Sequence, residues 1–73
     1  MFSYKPLLKL LIDRGMTKTQ LRDVAGISTP TLAKISKNEH VSMAVLNNIC
    51  SALHCKIEDV IEFQEDNEKE NST

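Results

Sequence analysis

Four side chains in this sequence are of the types that bind soft metals: His40, Cys50, His54 and Cys55. Cys50 and His54 stand four residues apart, so a helix would bring them to one face. Their spacings match no zinc finger, and Cys50 is needed at an apolar core position, so no metal ligand is assigned. Two cysteines also fall short of the disulfide framework of a small secreted domain. Both read as reduced, small apolar core residues. No nucleophile stands at a meaningful spacing from a base, and no glycine loop could cradle a phosphate. Neither an enzyme nor a cofactor is expected. Phe2, Tyr4 and Phe63 are the only aromatics, too few and too scattered for a base-stacking platform.

The chemistry that remains is electrostatic. The net charge of −1 over 73 residues conceals a strong asymmetry. Residues 1–40 carry Lys5, Lys9, Arg14, Lys18, Arg22, Lys34 and Lys37 against Asp13, Asp23 and Glu39, a net +4. Residues 41–63 carry −2 and residues 64–73 carry −3. A basic front half can meet phosphates although the sum is acidic. Residues 64–73 contain no apolar side chain and are expected to form an acidic, disordered tail. With 41% hydrophobic and 26% charged residues, the rest reads as one globular domain, residues 1–63. No apolar run approaches a membrane span, and the first residues do not read as a signal peptide. A cytoplasmic location is expected.

Helices must position these charges. Strand signals are absent and helix signals recur. The first helix should begin near residues 4–6, with Pro6 in its first turn. Leu7, Leu8, Leu10, Leu11 and Ile12 form its apolar face, and Gly15 ends it. The next three starts share one device. Thr17 reads as an N-cap with Gln20 as its capping-box partner, between Met16 and Leu21 as a hydrophobic staple. Ser28 has the same relation to Ile27 and Leu32, and Ser42 to Val41 and Leu46. These starts predict helices over about 18–25, 29–37 and 43–54. A last short helix is expected over about 57–63. The sum is a compact, five-helix, all-α domain. Val60 and Phe63 would either form a dimer patch or cover the bottom of the first helix.

Residues 17–37 read TKTQLRDVAGISTPTLAKISK. Gly26 can adopt the left-handed conformation that ends one helix and redirects the chain into the next. Leu21, Ala25, Ile27, Leu32 and Ile35 are spaced to share one interior, which makes a helix-turn-helix. Thr29, Pro30, Ala33, Lys34 and Lys37 then face outward. Apart from the two lysines these side chains are short, which suits a major groove about 12 Å wide. Lys18 opposes the dipole of the helix it begins, a misfit that a nearby phosphate would relieve.

On these residues the sequence resembles the Cro/CI-type (Xre-like) helix-turn-helix DNA-binding domains, with their lambda-repressor-like fold. The match runs through Leu21, Gly26-Ile27-Ser28, Thr31-Leu32, Ile35, Val45, Leu46, Ala52-Leu53 and Asp59, over roughly residues 5–62. The resemblance implies that Thr29, Pro30, Ala33 and Lys34 read bases. It implies phosphate contacts for Thr17, Lys18, Thr19, Lys37 and Asn38, with Ser42 nearby. Ser28 joins the phosphate set, although it reads first as a cap. Three positions depart from the family pattern. Arg22 stands where a small residue is usual and must send its head outward. Pro30 can offer a base only apolar contact. Leu11 and Ser36 replace an Arg–Glu pair together, which strands no charge.

The expected function is sequence-specific binding of double-stranded DNA, as a transcriptional repressor. One such unit buries little surface, so a homodimer on a palindromic operator is expected. No membrane partner and no small-molecule effector is expected. The competing reading is a protein-interaction module, such as an antitoxin-like partner or a repressor antagonist, that kept the fold. The few hydrogen-bonding groups on Thr29, Pro30 and Ala33 favour it; the basic front half opposes it.

Overall fold

The computed structural model describes residues 1–65. Four helices carry the fold: α1 (Lys5–Asp13), α2 (Lys18–Ala25), α3 (Thr29–Ser36) and α4 (Met43–Leu53). Each boundary has a local cause. Pro6 occupies the first turn of α1, and Gly15 follows the helix at φ +65°. Thr17 Oγ1 accepts from the Gln20 N–H at 3.1 Å while Gln20 Oε1 accepts from the Thr17 N–H at 2.8 Å. This is the reciprocal capping box. Ser28 and Ser42 cap α3 and α4 through the N–H groups of Thr31 and Val45, both at 3.2 Å. His54 ends α4 in the left-handed region at φ 54°.

The core joins Tyr4, Leu7 and Leu11 with Leu21, Ala25, Ile27 and Ile35, then Leu46, Ile49, Leu53 and Val60. α2 makes its broadest packing with α4. Ile12, expected on the apolar face of α1, is 78% exposed. Cys50 and Cys55 are free and only partly buried, at the margin of this core. Burial raises the Cys55 thiol pKa, and the adjacent Cys50 adds to the shift.

The C-terminal expectation needs correcting. No helix spans 57–63. A single 3₁₀ turn, Ile57–Asp59, leads into a two-residue strand, β2 (Glu62–Phe63), antiparallel to β1 (Phe2–Ser3). Seven residues offer little to a helix, because the first turn fixes several dihedrals for one hydrogen bond. The extended path uses the same groups better. The Val60 carbonyl accepts from the Leu7 N–H at 3.2 Å, satisfying a donor that the start of α1 leaves open. Gln64 N–H donates to the Met1 carbonyl at 2.7 Å, lengthening the ribbon. Val60 is fully buried, so it covers α1 and cannot serve a surface patch. Phe63 is exposed and meets Phe2 edge-on, with ring centroids 5.5 Å apart. Of the acidic segment 64–73, Gln64 and Glu65 fall within the described residues; 66–73 lie outside them.

Candidate nucleic-acid interface

The turn between α2 and α3 is Gly26-Ile27. Gly26 sits at φ +67°, and its N–H and that of Ile27 both return to the Arg22 carbonyl. An added Cβ at Gly26 would meet nothing within 4 Å, so glycine is required by the backbone and not by crowding. Ile27 then plugs into the core beside Leu21, Ala25 and Ile35. These anchors decide which side of α3 is left outside.

That outer side carries Thr29, Pro30, Ala33, Lys34 and, just past the helix end, Lys37, all exposed. α3 contains no carboxylate. Arg22–Asp23 is the one ion pair among the described residues, so Lys18, Lys34 and Lys37 are uncompensated there. The face is therefore smooth and positive.

The hydroxyl and amide groups named from the sequence differ in how free they are. Ser28 Oγ accepts from the Thr31 N–H and donates to Thr31 Oγ1 at 2.9 Å, which commits it to the cap. Thr17 Oγ1 is likewise engaged in its capping box. Thr19 is exposed at the start of α2. Lys18 Nζ reaches over to donate to Ser36 Oγ at 3.3 Å, bringing the start of α2 to the end of α3. Asn38 has φ 57° and turns its Oδ1 inward, accepting from the Tyr4 N–H at 3.0 Å. Only its NH₂ group remains for an outside partner. Of the two positions that depart from the Arg–Glu pattern, Leu11 is buried and Ser36 is exposed.

Arg22 is not among the residues that the sequence assigns to DNA. Its head does reach the surface, as expected, but it folds against α3. Nη1 donates to Thr29 Oγ1 at 3.1 Å, and Nε and Nη2 both donate to Asp23 Oδ1, at 3.4 and 3.3 Å. The signal available in the sequence was a long cation seven residues before Thr29.

Among the described residues, no group of three or more His, Cys, Asp or Glu side chains could hold a metal ion. No described helix is long and apolar enough to cross a membrane.

Comparison with known proteins identifies the fold and the family. The family described as "Cro/C1-type HTH DNA-binding domain" matches residues 6–66. A crystal structure of the transcriptional regulator VanUg (Form II) superposes with a TM-score of 0.82 at 51% sequence identity, covering 88% of this chain and 87% of that one. No curated protein matches the sequence.

Proposed function

The chain belongs to the Cro/C1-type helix-turn-helix DNA-binding family, and from that premise we propose that it is a transcriptional repressor that reads double-stranded DNA with α3 in the major groove. The observation that carries this reading is the outer face of α3. It is held outward by Leu21, Ile27 and Ile35, is free of carboxylates, and bears two uncompensated lysines. Lys34 reaches base edges together with Thr29, Pro30 and Ala33. Lys18, Thr19, Lys37 and the Asn38 NH₂ group set register on the phosphates, while the Thr17 and Ser28 hydroxyls hold the helix starts beside them.

A symmetric dimer supplies the affinity that one unit lacks, on a palindrome with half-site centres about 34 Å apart. Exposed Met1, Phe2, Met43 and Phe63 are among the apolar side chains available to such a contact, with Ile12, Val24 and Ile57 exposed elsewhere. Repression follows if the operator overlaps a promoter and the bound dimer blocks polymerase.

Selection of random duplexes by the purified protein tests the reading. A second reading, a protein-interaction module, is favoured by the few hydrogen-bonding groups on Thr29, Pro30 and Ala33. A partner co-purifying at equal stoichiometry, together with no enriched DNA, would establish it instead.

A further inference from the structure

Resting on the reading that α3 enters the major groove, we infer that Arg22 is a specificity-determining residue, presenting its guanidinium at the N-terminus of α3 to the N7 and O6 acceptors of a guanine. Arg22 belongs to α2, yet its head lies on α3 through the hydrogen bond from Nη1 to Thr29 Oγ1 at 3.1 Å. A base contacted at Thr29 is therefore within reach of Arg22.

Three features suit it to reading a base. The first is orientation. Asp23 Oδ1 takes Nε and Nη2, and Thr29 takes Nη1, so the guanidinium plane is held from two sides. A side chain held in this way loses less freedom when it engages a planar partner. The second is capacity. Nη1 and Nη2 each carry two N–H groups and each uses one, which leaves two donors without an acceptor among the described residues. Two donors on one plane match the paired acceptors of a guanine in the major groove. The third is electrostatic. The first turn of α3 has no acidic residue, so the guanidinium lies at the positive end of that helix. An acceptor arriving from outside relieves this placement.

The inference also supplies what the front of α3 lacks. Pro30 and Ala33 donate no side-chain hydrogen bond. Thr29 has a single hydroxyl, which accepts from Arg22 and keeps one O–H to donate. Hydrogen-bond discrimination near the start of α3 thus falls largely to the guanidinium. The side chain is 35% exposed, which leaves its outer edge accessible.

The test is duplex selection with the full chain, run in parallel on the natural protein, Arg22→Ala, Arg22→Lys and Lys37→Ala, followed by affinity measurements on the selected site and on its single-base variants. Helicity and thermal midpoint are recorded for each protein to show that it is folded. Guanine reading predicts that Arg22→Ala and Arg22→Lys both lose preference at one symmetric G·C position and bind the original site about 10- to 100-fold more weakly. Lys37→Ala should weaken every sequence alike and keep that preference. The proposal is overturned if Arg22→Lys retains the natural preference and affinity, since charge without the planar fork would then suffice. It is equally overturned if Arg22→Ala selects the unchanged motif, or loses affinity uniformly across sequences. Failure of the natural protein itself to enrich any sequence contradicts the underlying DNA reading, and with it this inference.

Discussion

The side-chain carbonyl of Asn38 accepts a hydrogen bond from the backbone N–H of Tyr4 at 3.0 Å, across 34 positions of chain. A second link runs beside it, from the Tyr4 hydroxyl to the Glu39 carbonyl at 2.8 Å. Together they fasten the entrance of α1 to the segment that leaves α3. The position of α3 is thus tied to an N-terminal residue outside the helix. Asn38→Ala leaves the partly buried Tyr4 N–H without its partner and places a residue with no polar side chain at φ 57°. A destabilisation of about 2–3 kcal/mol is expected, read from urea unfolding. An unchanged midpoint would mean that this link contributes nothing.

Tyr4 is the only tyrosine and there is no tryptophan, so ultraviolet absorbance titrates this phenol alone. Burial raises its pKa above the usual 10.0. The folded state thus favours the neutral phenol. Its contribution to stability is constant below the unfolded pKa and declines as pH rises from there through the folded value. Native protein should titrate at higher pH than protein in denaturant, and Tyr4→Phe should lessen the alkaline fall in stability. Coincident titration curves would refute the assignment.

Gly26→Ala should cost about 1–2 kcal/mol, because the left-handed backbone is strained for any residue with a Cβ. The open space around the position limits the penalty to that backbone term. Gly26→Asn should cost less, since asparagine tolerates this region better. Thermal melts that rank the two alike would show that the turn relaxes.

Lys34→Ala and Lys37→Ala should weaken DNA binding while helicity is retained, since both side chains are exposed and outside the core. For a phosphate contact, each removal should lower the slope of log affinity against log salt by about 1. Unchanged affinity in both variants would take α3 out of the interface, and a salt-independent complex would contradict the electrostatic argument.

The parts of this fold that were legible in the sequence are those decided within a few residues. The Thr17–Gln20 box, the Ser28 and Ser42 caps and the Gly26 turn all use neighbours in the chain. They set the outward face of α3 before any long-range contact is considered. The C-terminal ribbon was not legible, because a two-residue strand has no alternation to detect. It forms because Val60 and Gln64 meet Leu7 and Met1 from the other end of the chain. Arg22 was legible only in part. Its length and the crowding between helices required the head to leave the interior, but the choice of Thr29 and Asp23 as partners depends on how α2 crosses α3. The position of Asn38 after α3 points it toward phosphates, whereas the inward turn of its carbonyl depends on Tyr4, 34 residues away.

The most direct test of the central claim is selection of duplex DNA from a random pool by the purified, folded protein at moderate salt. The account predicts an enriched inverted repeat whose half-site centres lie about 34 Å apart along the helix axis. Recovery of no enriched sequence, from protein shown to be helical in the same tube, would contradict it.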